Sequence, residues 1–326
     1  MYLAEDLKDL VEKSLKSMQY PEGPSELYAP VVYSLSIGGK RIRPILALLA
    51  CNLFTDRLTD KSILPAAGLE VFHCFTLVHD DIMDKADMRR NQPAVHKKWN
   101  MNTAILSGDA MCIEAYKLLC HAEQDKICDV LLNFNKAALK VCEGQQYDMN
   151  YETKNTITED DYLKMIELKT AALISVSTRI GAIVGGAPSA DVERLTKIGH
   201  NLGLAFQIQD DILDTYSDSK KLGKEVGLDI SNNKKTYLLT SAIRLAKGDQ
   251  KKSLTALITN AQELSFEEKY HAVKAIYDDL KVRDLAEAKV KEYFAVVENE
   301  LNAVDVKPER KRCIKEFIGS LFARQK

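Results

Sequence analysis

Two runs of one acidic pattern, Asp80-Asp81-Ile82-Met83-Asp84 and Asp210-Asp211-Ile212-Leu213-Asp214, lie far apart in the chain, each closing a long stretch of helical character. On an α-helix, residues four apart project from the same face one turn apart, so Asp80 above Asp84, or Asp210 above Asp214, makes a ladder of carboxylates. Such a ladder repels itself unless cations neutralise it. Hard oxygen donors of this kind suit Mg2+, which keeps several waters and is completed by substrate phosphates. Two facing ladders can therefore grip a diphosphate. One acidic run alone reads as a solvated helix end. Two, each following apolar sequence (Phe72 to Val78 and Leu202 to Ile208), are harder to explain that way, because unpaired carboxylates are costly in apolar surroundings.

Counting about 100° per residue, Leu69, His73, Thr76, Leu77, Asp80 and Asp84 share one stripe, polar at the top and mostly apolar below. A diphosphate over a hydrocarbon tail has that shape. Cationic segments supply the counterpart. In Gly38-Gly39-Lys40-Arg41-Ile42-Arg43-Pro44, the glycines let backbone approach an anion, and Lys40 and Arg43 reach along one face of a helix start. Arg89 and Arg90 follow the first acidic run, and guanidinium forks match phosphate oxygens. Lys169, Lys224, Lys234 and Lys235 form a further cationic set at loops or helix ends.

The elements that must position these groups are helical. Leu3, Leu7, Leu10, Val11 and Leu15 mark a first amphipathic helix. Others are expected over Ile42–Phe54, Pro65–Asp84, Thr103–His121, Lys126–Tyr147, Thr158–Ile183, Ala190–Asp214, Lys235–Ala246, Lys251–Ala261, Phe266–Leu280, Asp284–Leu301 and Pro308–Ala323. The 326 residues show no composition break, so one large all-α domain over 1–326 is expected. A net charge of -2 argues against nucleic acid or an acidic membrane as partner. Seven cysteines without a C-x-x-C pair read as reduced and mostly core-facing. With no signal pattern and no unbroken apolar run of ~18 residues, a soluble cytoplasmic protein without a membrane span is expected.

From about Tyr33 to Thr240 the chain resembles the trans-prenyltransferases of the polyprenyl synthetase family. The resemblance rests on GGKRIRP, HCFTLVHDDIMD, DMRR, GDA at Gly108–Ala110, GQQYD, LKTA, FQIQDDILD and GKEVGLDISNNKKT, in that order and spacing. Asn91 departs from the glycine usual after the two arginines, and a slightly altered loop is expected there. The resemblance implies an all-α bundle around a deep central cavity, a homodimer, and head-to-tail condensation of isopentenyl diphosphate with an allylic diphosphate (dimethylallyl, geranyl or farnesyl). It also implies Mg2+ dependence and pyrophosphate release. By the same resemblance Asp80, Asp84, Asp210 and Asp214 are Mg2+ ligands supported by Asp81 and Asp211. Lys40, Arg43, His73 and Arg90 resemble the isopentenyl diphosphate site. Arg89, Lys169, Thr170, Gln207, Lys224 and Lys234 resemble the allylic site, with Asp148 a further member of its polar wall.

Product length is set, by the same resemblance, four and five residues before the first acidic run, at Thr76 and Phe75. One aromatic beside a small residue resembles enzymes that stop at twenty carbons; two adjacent aromatics would suggest fifteen. Thr76 lies ~6 Å and Phe72 ~12 Å below Asp80 along a helix axis, so Phe72 opposes longer chains. Phe75 falls ~140° from Asp80, and geometry gives it no floor role. Geranylgeranyl diphosphate is the expected product and farnesyl diphosphate the alternative. A class I terpene cyclase would carry a different second metal motif and has no need of GGKRIRP. A non-catalytic subunit would lack acidic or basic site residues, and the main groups are present.

Overall fold

The computed structural model describes residues 2–217, 226–259 and 264–323. The described residues are almost entirely helical: α1 Ala4–Lys16, α2 Ser25–Ser36, α3 Ile42–Asn52, α4 Asp60–Met83, α5 Val95–Lys98, α6 Met101–Leu119, α7 Ile127–Glu152, α8 Glu159–Ile166, α9 Ala172–Gly185 and α10 Ser189–Tyr216. They continue with α11 Leu228–Ser231, α12 Tyr237–Leu245, α13 Gly248–Thr259, α14 Phe266–Asp279, α15 Val282–Ala303 and α16 Pro308–Ala323. The strands described are two dipeptides, β1 Met88–Arg89 and β2 Gln92–Pro93, paired antiparallel. The chain forms two compact units, one of residues 1–135, 176–196 and 304–326, the other of residues 136–175 and 197–303.

In the first unit α4 is the central helix, with α1, α2, α3 and α6 packed on it. α1 buries Leu7, Val11 and Leu15, one residue per turn, and its start is closed by the Asp6 carboxylate accepting the Leu3 N–H at 2.9 Å. α4 begins at Asp60, five residues before the expected Pro65, because Thr59 and Ser62 form the cap and the proline is accommodated inside the helix. In the second unit α14 packs on α11, α12 and α13, and α12 packs on α8 and α15. Ser265 and Glu268 exchange bonds at the start of α14, as do Thr158 and Asp161 at α8.

The sequence reading omits α2, whose polar opening and internal Pro30 break the periodic signal. It also runs Thr158–Ile183 as one α-helix, whereas the chain makes a π-helical turn over Glu167–Ala171. α4 and the segment Glu159–Gly185 reach the length and mean hydropathy of a membrane span once averaged over a window, although neither contains an unbroken apolar run. In each, 61% of that window is buried inside the protein, as in a core helix. All seven cysteines are free thiols, but Cys120, Cys128 and Cys142 are exposed rather than core-facing.

Candidate active site

In the first unit the amide of Asp84 donates to the Asp80 carbonyl at 2.8 Å, so the helical path persists there and the two residues stand one turn apart. Asp81 turns inward. Its buried carboxylate accepts the Arg89 Nε at 2.9 Å and an Nη hydrogen of the same guanidinium. Burial works against the Arg89 charge, but Asp81, Asp80 and Asp84 outweigh it and raise its pKa. Asp87 pairs instead with Lys97, at 2.7 Å. Arg90 and Asn91 form the turn between β1 and β2, both left-handed with φ of 51° and 61°. Asparagine tolerates that region better than most residues, so Asn91 keeps a tight turn without glycine.

That turn brings Arg90 over the glycine pair. A Cβ added to Gly39, whose φ is +150°, would sit 2.5 Å from Arg90 Nη1. Arg43 is close enough to Arg90 and to His73 for each to feel the other's charge, and its Nε is buried with no hydrogen-bond partner among the described residues. Burial, then Arg43, Arg90, Arg89 and Arg41, lower the His73 pKa well below the ordinary histidine value, so its imidazole is neutral. Lys40 is exposed beside them. Several cations, a neutral imidazole and an orphaned guanidinium N–H in one place suit an anion with many oxygens.

In the second unit the same division recurs on α10. Asp211 is buried and accepts the Tyr162 hydroxyl at 2.6 Å, the Tyr237 N–H at 2.9 Å and Gln207 Nε2 at 3.3 Å. Asp210 is exposed, and Asp214 follows it one turn later. The Asp214 carboxylate accepts the Asp229 N–H at 3.0 Å, and its carbonyl accepts the Gly227 N–H at 2.7 Å. Burial and then the neighbouring Asp229 and Asp210 push the Asp214 carboxyl up to about 6. Burial, with Asp229 adding to it and Lys234 opposing, pushes Asp211 up to about 7. Lys234 pairs with Asp229 at 3.2 Å; burial disfavours its charge, yet Asp229 and Asp211 raise its pKa overall.

The π turn carries the next two groups. Lys169 Nζ donates to Asp148 at 2.6 Å, and the Thr170 hydroxyl donates to Gln207 Oε1 at 3.0 Å. Gly144 on α7 admits this turn: a Cβ there would lie 2.2 Å from the Lys169 nitrogen. Single π turns inside helices are frequent at functional sites, and here the turn links Lys169, Thr170, Gln207 and Asp211 into one polar run. Lys224 lies outside the described residues.

Below Asp80 on α4, Phe72 is buried, its ring 4.9 Å from Phe134 and 5.2 Å from Phe75. Phe134 also meets Tyr116 edge-on at 5.1 Å. Phe75 lies against His79 at 4.7 Å, and Thr76 donates its hydroxyl to the His73 carbonyl at 2.8 Å.

The polyprenyl synthetase family profile matches residues 24–279. This chain belongs to the polyprenyl synthetase family. A geranylgeranyl diphosphate synthase of Methanosarcina mazei is 39% identical over 251 residues, 74% of this chain and 76% of that one. A geranylfarnesyl diphosphate synthase of Natronomonas pharaonis is 35% identical over 252 residues, 72% of this chain and 74% of that one. Among solved structures, a crystal structure of a geranylgeranyl pyrophosphate synthase superposes with a TM-score of 0.94 at 38% identity, covering all of both chains. The fold is the all-α isoprenoid synthase fold of that family, and the protein is a prenyltransferase.

The polyprenyl synthetase family is generally Mg2+-dependent, and the donor set of this chain fits that ion. Among the described residues no three His, Cys, Asp or Glu side chains converge to hold an ion unaided. In each run the first and last aspartates stand one turn apart, the Asp214 carboxylate also accepting the Asp229 N–H, so an ion held there would complete its coordination with water and phosphate, the arrangement Mg2+ takes. Burial first, and then the charges of Asp229 and Asp210, push the Asp214 carboxyl up to about 6, and a cation there would favour its charged form. Sequence reasoning missed Tyr162, Asp229 and the Tyr237 amide. Asp229 stood inside the recognised GKEVGLDISNNKKT segment and was legible; the other two meet Asp211 only through tertiary packing.

Proposed function

We propose that the protein is a short-chain trans-prenyltransferase that joins isopentenyl diphosphate head-to-tail to dimethylallyl, geranyl or farnesyl diphosphate. Its principal product is geranylgeranyl diphosphate, with farnesyl diphosphate the shorter alternative. The observation that carries this reading is the identical division of labour in the two acidic runs: Asp81 and Asp211 are buried and spent on protein partners, while the first and last aspartates stand a turn apart. The whole chain, 1–326, is proposed as a single prenyltransferase.

In this reading Asp80, Asp84, Asp210 and Asp214 hold Mg2+, with Asp81 and Asp211 as their supports. Mg2+ held by these carboxylates would lower the charge on the allylic diphosphate and so make it a better leaving group. Arg89, Lys169, Lys224 and Lys234 bind the same diphosphate and stabilise the charge that grows on its bridging oxygen as the allylic carbon–oxygen bond breaks. Thr170, Gln207 and the Lys169 carbonyl offer weak dipoles to the allylic cation, and apolar walls keep water from quenching it. Lys40, Arg43, Arg90 and neutral His73 hold isopentenyl diphosphate while its double bond attacks that carbon. The proton lost afterwards passes to the departing pyrophosphate, so no side chain serves as a dedicated base.

The test is turnover by purified protein with isopentenyl diphosphate and each allylic starter. Linear elongation supports the assignment. Cyclic hydrocarbon would mark a cyclase, and a folded protein without turnover would mark a non-catalytic subunit. A finer check uses Gly39→Ala: its Cβ would strike the end of Arg90 and its φ of +150° strains an alanine, so the KM for isopentenyl diphosphate rises about tenfold or more and the thermal midpoint falls as well.

A homodimer is part of the proposal. Met101, Ile105, Leu106 and Ile113 leave an apolar face of α6 exposed, and Leu132 on α7 is exposed as well. Contiguous apolar surface of this kind marks an interface. Leu106→Glu combined with Ile113→Glu is expected to yield a monomer in sedimentation analysis; a dimer unchanged by both substitutions places the interface elsewhere. Free thiols throughout suit a reducing, cytoplasmic setting.

A further inference from the structure

We infer that Arg41, the arginine of the Gly38–Pro44 segment whose guanidinium is tied to protein partners, is a positioning residue for the isopentenyl diphosphate site, and that it extends this site's support to Glu12 on α1. The inference rests on the reading of Lys40, Arg43, His73 and Arg90 as that site. Arg41 is 2% exposed and adopts a left-handed backbone, φ 50°, at the start of α3. A bulky residue persists there only when its surroundings over-determine it. They do so through three elements at once. Arg41 Nε donates to Glu12 on α1 at 2.7 Å, Nη1 to Glu70 on α4 at 2.8 Å, and Nη2 to the Leu35 carbonyl near the end of α2 at 2.7 Å.

What this arrangement fixes is the segment on either side. Lys40 precedes Arg41, Arg43 follows two residues later on the first turn of α3, and Gly39 is the glycine over which Arg90 lies. Glu70 is one turn before His73 on α4, so the same guanidinium locks the loop's cations to the helix that carries the imidazole. Burial opposes the Arg41 charge, but Glu70 and Glu12 outweigh it and raise its pKa, so the cation is permanent. With its donors committed inward, Arg41 acts on the anion only through the placement of its neighbours. A lysine keeps the charge but not the fork, and cannot reach three acceptors in three directions.

The test compares Arg41→Lys and Glu12→Gln with the native enzyme in steady-state assays varying each substrate in turn. Glu12 is partly exposed, with 23% of its side chain accessible, so Glu12→Gln loosens the strut without stranding a buried charge and keeps the test valid even if Arg41→Lys does not fold. The expected result is a KM for isopentenyl diphosphate raised about tenfold in Arg41→Lys, and less in Glu12→Gln, with the allylic KM within about twofold and the circular dichroism spectrum unchanged. An unchanged isopentenyl KM in both folded variants, or an equal rise in both KM values, overturns the inference. Lys40→Ala and Arg43→Ala separate this outcome from failure of the underlying assignment. If they too leave the isopentenyl KM unchanged, the loop is not that site; if they raise it while Arg41→Lys and Glu12→Gln do not, only the strut is wrong.

Discussion

Alanine at Asp80 or Asp210 lowers kcat by about three orders of magnitude and leaves the thermal unfolding midpoint close to native, whereas alanine at Asp81 or Asp211 costs stability first. The contrast follows from where each carboxylate is spent. Under the proposed function Asp80 and Asp210 are metal ligands, and Asp80 is only half-buried and Asp210 exposed, so their loss disturbs less packing than loss of buried Asp81 or Asp211. Asp211 is 2% exposed and accepts from Tyr162, Tyr237 and Gln207, so Asp211→Ala strands a buried phenol and a buried amide. A cost on the order of 3 kcal/mol is expected from that loss of partners. Asp81→Ala likewise deprives Arg89 of both its bonds to Asp81. Single-turnover rates at saturating Mg2+ together with thermal melts check both halves. Near-native turnover of Asp80→Ala at high Mg2+ would remove the reason for assigning metal to the first and last aspartates. Equal destabilisation by all four substitutions would remove the division between inner and outer aspartates.

The acidic and basic groups were legible because their spacing carries its own geometry: Asp80 and Asp84 share a helical face whatever else the chain does. The helices containing them were legible for the same reason, with ends displaced by a few residues where caps such as Thr59 and Ser62 decide the boundary. What escaped the sequence is what depends on a partner distant in the chain. Arg41 reads as one more cation in a basic run, and only Glu12, Glu70 and the Leu35 carbonyl make it a buried strut. The π turn at Glu167–Ala171 sits in a stretch with ordinary helical propensity; its signal lies on another helix, at Gly144, where backbone approaches Lys169 too closely for a side chain. Tyr162 carries no spacing signal of its own; it is buried, and its hydroxyl is spent on Asp211. Phe75, by contrast, fell off the acidic stripe on the helical wheel, and its ring contacts with His79 and Phe72 agree with that placement.

Phe72→Ala lengthens the product beyond twenty carbons, and Thr76→Phe shortens it to fifteen. Under the proposed function a growing prenyl chain extends along α4 below Asp80, and the bulk met at each depth would set where growth stops. At about 1.5 Å rise per residue, Thr76 is met about 6 Å and Phe72 about 12 Å below Asp80. Thr76 is small, and its hydroxyl is spent on the His73 carbonyl, so it presents little obstruction at the first level. Phe72 is 2% exposed and braced by Phe134 and Phe75, and Phe134 in turn by Tyr116. A braced ring makes a firm floor, because moving it disturbs packing on two sides. Phe75→Ala acts at one remove: it withdraws a brace from Phe72, and a smaller shift toward longer chains is expected than from Phe72→Ala. Thr76→Phe brings an aromatic next to Phe75 and blocks the passage about 6 Å, one helical turn, short of Phe72. Chromatography of dephosphorylated products after incubation with isopentenyl and dimethylallyl diphosphates reads out all three variants. A product distribution unchanged by both Phe72→Ala and Phe75→Ala would mean that chain growth is halted by a different wall.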